Sequence, residues 1–153
     1  MTIDTITQQG NSSTIMHSLA KTKELLAAAL VKKALDPVVL DLRGLTTLAD
    51  YFLIVSGRSA KHVTAVAESV LEHAKDMKFH RLSAEGVSEG NWALLDYGDT
   101  IVHIFRRSTR EFYDLEGLWC EAPRVVFSGQ LGQEVEAAQK PPLEGDADYE
   151  YDD

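Results

Sequence analysis

The sequence lacks several features that mark specialised classes of protein. It has a single cysteine, Cys120, among 153 residues, so an intramolecular disulfide is excluded. No run of 18 apolar residues is present, and the polar segment 1–11 does not have the basic-then-apolar order of a signal peptide. We therefore expect a cytosolic protein with no membrane partner.

Basic residues are also scarce, with 15 lysines and arginines against 24 acidic residues and a net charge of −9. The acidic excess is concentrated in residues 128–153, which hold eight acidic residues and only Lys140 as a base, so residues 1–127 are close to neutral. Neither part has the dense basic surface that phosphate-backbone binding requires. We expect little direct nucleic-acid binding, and a basic protein partner fits the charge better.

Motifs for catalysis and for metal or cofactor binding are missing as well. The five histidines have no cysteine or carboxylate cluster at metal-ligand spacing. The segment 56–59 is more typical of a strand-to-helix turn than of a phosphate loop. Asp96 and Asp99 are separated by a turn at Gly98, whereas two carboxylates on one strand share a metal ion when they are two residues apart. We expect no metal and no cofactor, although a metal-dependent nucleotidyltransferase-like enzyme is the alternative.

Composition divides the chain into three zones. Residues 1–13 are polar and are predicted to be a flexible N-terminus. Residues 14–124 hold the alternating apolar patterns of one folded domain. Residues 125–153 combine glycine and proline with the acidic run and are predicted to be a disordered tail.

Within the domain, the apolar period switches between that of helices and that of strands. A helix is predicted from about Leu19 until Asp36-Pro37 ends it, because the residue before proline resists the helical conformation. A strand at 38–42 and a fully apolar strand at 51–55 follow. A second helix, capped by Ser59, carries an apolar stripe from Val63 to Met77.

The second half of the domain is predicted to hold three more strands and a last helix. A weak strand lies at 80–84, and Asn91–Asp96 and Ile101–Arg106 form a hairpin. Ser108 is expected to cap the final helix, on which Phe112, Leu115 and Trp119 share one face. The fold class is therefore α/β, with a mixed sheet of about five strands and flanking helices.

The hairpin has a register that the sequence defines. If Gly98 and Asp99 form a two-residue turn, Tyr97 faces Thr100. Because side chains alternate along a strand, one face of the hairpin is then ordinary apolar core. The other face pairs Trp92 with Phe105 and Leu94 with His103. Large aromatic residues beside a histidine and a carboxylate are typical of a half-exposed docking face.

Several motifs in residues 17–122 together resemble the Iojap-type ribosomal silencing factors. They are Ala49-Asp50-Tyr51-Phe52-Leu53-Ile54-Val55-Ser56-Gly57-Arg58-Ser59, Glu85-Gly86, Gly90-x-Trp92, Leu94-Leu95-Asp96-Tyr97-Gly98-Asp99, Val102-His103-Ile104-Phe105 and Arg110-x-x-Tyr113-x-Leu115-Glu116-x-Leu118-Trp119. The motifs occur in order and at the expected spacings. The resemblance does not extend to the acidic tail.

The resemblance implies a fold like that of the nucleotidyltransferases, without their catalytic carboxylates, and a protein that is not an enzyme. Such factors bind ribosomal protein fourteen of the large ribosomal subunit. The bound factor sterically blocks association of the two ribosomal subunits and so represses translation under nutrient limitation.

Resemblance and hairpin geometry together select nine candidate partner-binding residues. They are Trp92, Leu94, Tyr97, Asp99, His103, Phe105, Arg110, Tyr113 and Glu116. Tyr97 is expected to be exposed at the turn, and Asp99 to meet a basic group of the partner. The alternative for Trp92, Phe105 and Trp119 is that they are core residues beneath a helix. A homodimer that uses the aromatic face or a sheet edge is a further alternative.

Overall fold

A computed structural model describes residues 3–127, with side chains described from residue 17 onward. The predicted acidic tail lies outside the described residues from position 128 onward. The elements, in chain order, are α1 (Ile3–Val31), β1 (Leu35–Asp41), β2 (Tyr51–Gly57), α2 (Ala60–Asp76), β3 (Ser83–Glu85), β4 (Trp92–Asp96), β5 (Thr100–Arg106), α3 (Arg107–Tyr113) and α4 (Leu115–Leu118). Helix α1 includes positions 3–13, for which a flexible N-terminus was expected.

The five strands form one mixed sheet in the order β1-β2-β5-β4-β3. Strands β2 and β5 are parallel and central, and the other neighbouring strands are antiparallel. Every residue of β2 is buried, as its continuous apolar run predicts. The predicted α/β class with a mixed five-stranded sheet is therefore confirmed.

The sheet has a different apolar core on each face. Helices α1 and α2 cover one face, where their apolar stripes pack against residues such as Leu53, Leu95 and Ile104. Ser59 caps α2 as predicted, since its side chain accepts a hydrogen bond from the backbone N–H of His62 at 3.1 Å. The other face holds a smaller cluster around Phe52 and Phe105, with Trp119 packed against it.

The register of the β4–β5 hairpin agrees with the prediction at every pair. Trp92 is opposite Phe105 and Leu94 is opposite His103. The backbone N–H of Tyr97 donates to the carbonyl of Thr100 at 2.9 Å, and Gly98 has a φ of +87° in the two-residue turn. The sequence-defined register therefore holds.

Three predicted element boundaries are wrong. Helix α1 ends at Val31, and β1 already begins at Leu35, so Asp36-Pro37 lies inside a strand. The strand accommodates the proline at an irregularity between Leu35 and Val38, where the ladder does not need its missing N–H. The weak third strand lies at Ser83–Glu85 and not at 80–84.

The last helix differs most from the prediction. Ser108 is not its cap, because α3 begins at Arg107 and the capping position is Arg106. The chain then leaves the helix at Asp114, whose φ of +47° is left-handed. The Asp114 side chain accepts a hydrogen bond from the N–H of Gly117 at 3.1 Å and starts the short helix α4. This break changes which side chains share a face.

Candidate partner-docking site

A cluster of aromatic rings lies on the sheet face that α3 and α4 flank. The residues of this aromatic cluster are Phe52, Trp92, His103, Phe105, Phe112, Tyr113 and Trp119. The ring of Trp92 lies 4.8 Å from that of Phe105 and 4.8 Å from that of Tyr113, centroid to centroid. Trp92 thus joins the sheet to α3 through ring contacts.

Exposure increases across the cluster from the sheet outward. Phe52, His103 and Phe105 are buried, whereas Trp92 is half-buried. Tyr113 is 53% exposed and Phe112 is 79% exposed. A contiguous set of rings that is anchored in the core and open at its top is typical of a surface that docks a partner.

His103 is held as a neutral ring within this cluster. Its Nδ1 accepts a hydrogen bond from the indole N–H of Trp92 at 3.1 Å, so the proton of the neutral imidazole lies on Nε2. Burial lowers the pKa of His103 to about 4, because the apolar surroundings disfavour its charged form. His103 therefore positions Trp92 and is not itself exposed, contrary to its expected place on a half-exposed face.

Arg110 is buried and binds inside the protein. Its guanidinium makes two hydrogen bonds to the Glu116 carboxylate, at 2.7 and 3.2 Å. It also donates to the carbonyl of Asp36 at 2.9 Å and to the hydroxyl of Ser56 at 2.8 Å. Burial acts to raise the pKa of Glu116, but the hydrogen bonds and positive charge of Arg110 outweigh it and keep that pKa below its ordinary value. The pair attaches α3 and α4 to the sheet.

The tip of the hairpin is tied to α1. Tyr97 is only 3% exposed and packs in the core under α1 and α2, so the prediction that it is exposed is wrong. Asp99 does meet a basic group, but that group is Lys21 of α1, whose Nζ lies 2.9 Å from Asp99 Oδ1. Lys21 also donates to the carbonyl of Tyr97 at 3.3 Å.

The nine predicted residues therefore separate into two groups: three that have exposed surface on the aromatic face, and six that are buried or paired within the protein. Trp92, Leu94 and Tyr113 have exposed surface on the aromatic face. Phe105 is fully buried beneath Trp92, which confirms the alternative that it is a core residue. Arg110 and Glu116 form an internal ion pair where rim contacts were expected.

Sequence reasoning missed two exposed apolar residues near the site. Phe112 is 79% exposed, although it was expected to share one helix face with Leu115 and Trp119, and Leu118 on α4 is 73% exposed. Asp114 is the signal that would have found them, because aspartate is a preferred N-cap residue and tolerates the left-handed conformation.

The candidate metal carboxylates bind separate partners. Asp96 accepts a hydrogen bond from the N–H of Gly98 at 2.8 Å, whereas Asp99 pairs with Lys21. Across residues 17–127, no three histidine, cysteine or acidic side chains group as metal ligands. None of the helices in this part of the chain is long and apolar enough to cross a membrane.

Comparison with known proteins gives consistent matches. The sequence profile of the family described as "Ribosomal silencing factor during starvation" matches residues 15–150. The match therefore extends into the acidic tail, where the resemblance was expected to end. The ribosomal silencing factor RsfS of Bacillus subtilis is 39% identical over 118 residues, which cover 77% of this chain and 100% of that protein. A mouse protein named "Mitochondrial assembly of ribosomal large subunit protein 1" is 33% identical over 87 residues, which cover 55% of this chain and 37% of that protein.

A solved structure agrees with these sequence matches. The crystal structure of a protein from Chromobacterium violaceum superposes with a TM-score of 0.66 at 30% identity. The superposition covers 75% of this chain and 95% of that one.

Proposed function

The chain belongs to the ribosomal silencing factor family, and from this we propose that it binds the large ribosomal subunit through ribosomal protein fourteen and blocks association with the small subunit. Its action is steric, since a folded body of this size occupies a surface that the other subunit needs. The result is repression of translation when nutrients are limiting. The protein acts in the cytoplasm and catalyses no reaction.

The observation that carries this proposal is the family match over residues 15–150, together with a relative whose whole length is covered. The name of the mouse relative, which refers to the ribosomal large subunit, supports the choice of that subunit as the partner.

The aromatic cluster is the docking surface in this proposal. Tyr113, Phe112 and the exposed part of Trp92 contact ribosomal protein fourteen, because large aromatic side chains supply most of the binding energy of many interfaces. Leu94 extends the apolar surface beside them. Buried His103, Phe105 and the Arg110–Glu116 pair hold these residues in place from beneath. Tyr97 and Asp99 fix the hairpin tip against α1.

The experiment measures binding and subunit joining together. Purified full-length protein is expected to co-sediment with large subunits and not with small subunits, and to lower the fraction of joined ribosomes as its concentration rises. A cross-link between the docking surface and ribosomal protein fourteen identifies the contacted protein. Full joining at saturating protein would overturn the proposal.

A pair of variants tests the surface. Tyr113→Ala is expected to weaken binding to the large subunit by roughly tenfold to a hundredfold, as loss of an aromatic anchor does. Met77→Ala is the matched control, because Met77 is also an exposed apolar residue but lies at the end of α2, which covers the other sheet face. Dimerisation of the free protein that is lost in Tyr113→Ala would assign the surface to a homodimer instead.

A further inference from the structure

The two central strands carry the same pattern of charge at their ends. Asp50 precedes β2 and Arg58 follows it, while Asp99 precedes β5 and Arg106 ends it. The strands are parallel and in register, with Tyr51 opposite Thr100 and Gly57 opposite Arg106. Acidic residues therefore gather at one end of the sheet and basic residues at the other.

Contacts with α1 and α2 add further basic residues to that second end. The N–H of Arg58 donates to Nδ1 of His62 at 2.9 Å, and His62 Nε2 lies 2.8 Å from the carbonyl oxygen of Lys32. The histidine thus holds the end of α1 against the turn after β2. We call this end of the sheet the basic edge, and its residues are Lys32, Lys33, Arg58, Lys61, Arg106 and Arg107.

Four of the six side chains of the basic edge are exposed, namely those of Lys32, Lys33, Arg58 and Lys61. The acidic residues on or beside these segments are Asp36, Glu89, Glu111 and Glu116, and Glu116 is paired with Arg110, so basic residues still outnumber acidic ones here. At the opposite end, Asp99 is paired with Lys21. The near neutrality of residues 1–127 does not reveal this separation of charge.

The basic edge is continuous with the aromatic cluster. The N–H of Arg106 donates to the carbonyl of Asn91 at 3.0 Å, and its Nη1 donates to the Asn91 side chain at 3.0 Å. Asn91 directly precedes Trp92. Arg107 begins α3, the helix that carries Tyr113. A partner that binds the aromatic cluster therefore also lies beside the basic edge.

We propose that the basic edge binds the phosphate backbone of RNA in the large ribosomal subunit beside the protein contact of the aromatic cluster. This inference rests on the proposed function, which supplies an RNA-rich partner. RNA fits better than an acidic protein because a phosphate at every nucleotide presents several regularly spaced negative charges to several basic side chains. Such contacts position the factor without reading a base sequence.

The test compares two neutralised variants of the full chain. Arg58→Gln with Lys61→Gln removes two exposed charges from the basic edge. Lys75→Gln with Lys78→Gln is the matched control, because both lysines are exposed and lie at the other end of α2. Thermal unfolding verifies that both variants fold. Binding to isolated large subunits is then measured over a range of salt concentrations, and so is binding to a short RNA duplex of arbitrary sequence.

For the wild type and the control, affinity is expected to fall as salt rises. In the Arg58→Gln, Lys61→Gln variant the slope of log affinity against log salt is expected to be smaller by roughly 1 to 2, as for two lost phosphate contacts. Its affinity for the large subunit at low salt is expected to fall about tenfold, and its binding to the RNA duplex is expected to fall as well.

Two results would overturn the proposal. Equal salt slopes for wild type and the Arg58→Gln, Lys61→Gln variant would show that the basic edge makes no ionic contact. A reduced slope on the large subunit with unchanged RNA-duplex binding would assign the edge to an acidic protein. Failure of the proposed function is distinguishable from both, because the wild type would then not bind the large subunit at all while the RNA duplex still reports on the basic edge.

Discussion

The indole N–H of Trp92 donates a hydrogen bond to Nδ1 of His103 at 3.1 Å, diagonally across the β4–β5 hairpin. The acceptor nitrogen must be unprotonated for this bond to exist. The ring of His103 is also buried against Phe52, 4.5 Å between centroids, in surroundings that do not solvate a charge. The placement of the half-exposed Trp92 therefore depends on a neutral His103.

Stability is expected to depend on the protonation of His103. Its pKa is lowered to about 4 in the folded state, whereas the unfolded value is about 6.5. Between these pH values the unfolded chain binds the proton and the folded chain does not, so stability falls as pH falls through this window. The loss amounts to about 3 kcal/mol once pH is below 4.

Urea unfolding at a series of pH values measures this effect. His103→Gln, whose amide oxygen still accepts from Trp92, is expected to lose the pH-dependent component. His80→Gln is the control, since His80 is exposed, and it is expected to behave as the wild type. If the free energy of unfolding changes with pH in the same way in all three proteins, the role given to His103 is refuted.

Arg110 and Arg43 are expected to contribute very differently to stability, although each pairs with a carboxylate at 2.7 Å. Arg110 is buried, and Arg110→Ala leaves the Glu116 carboxylate buried without its partner, which costs about 3 to 5 kcal/mol. Arg43 is exposed, so Arg43→Ala is expected to cost less than about 1 kcal/mol. The midpoints of denaturant unfolding measure the loss of stability in each of the two variants. Equal losses would mean that the Arg110 network does not attach α3 and α4 to the sheet.

The hairpin and the central strands were predictable because local rules determine them. A two-residue turn at Gly98-Asp99 leaves one register, and alternation then assigns each side chain to a face. The apolar run from Tyr51 to Val55 is too long and too uniform for an exposed strand. The predicted positions of these strands are correct because they depend only on residues that are close together in the sequence.

The environment of Tyr97 was not predictable in this way. Its burial depends on α1, whose Lys21 binds the carbonyl of Tyr97 and the carboxylate of Asp99 from more than seventy residues away.

The break at Asp114 was missed for a different reason. Phe112, Leu115 and Trp119 have helical spacing, and periodicity does not detect one left-handed residue between them.

The Tyr97 hydroxyl allows a test of whether Tyr97 acts as a core residue and not as a partner contact. It is buried and has no hydrogen-bond partner among the residues that the structure describes. Tyr97→Phe removes this polar group and is expected to leave stability unchanged or raise it by about 1 kcal/mol. Tyr97→Ala, which leaves a cavity, is expected to lose about 3 to 5 kcal/mol. Large-subunit binding should be unchanged in Tyr97→Phe, and a tenfold loss at unchanged stability would instead place the hydroxyl at the partner interface.

Gly86 and Gly44 have similar positive φ angles, but an added Cβ would collide with a neighbouring atom only at Gly86. Gly86 has a φ of +75°, and a Cβ there would overlap the carbonyl oxygen of Trp92, the first residue of β4. Gly44 has a φ of +86°, but nothing lies within 4 Å of its Cβ position. Gly44→Ala is therefore expected to cost about 1 kcal/mol from backbone strain alone.

Gly86→Ala is expected to cost at least about 3 kcal/mol, because the backbone of β4 has to move in addition to the strain. That movement also displaces Trp92 from His103 and Tyr113, so binding to the large subunit should weaken in Gly86→Ala and not in Gly44→Ala. Urea unfolding followed by tryptophan fluorescence measures the stability difference, and co-sedimentation with large subunits measures the binding. Equal stability losses in the two variants would show that the close approach of Gly86 to Trp92 has no energetic consequence.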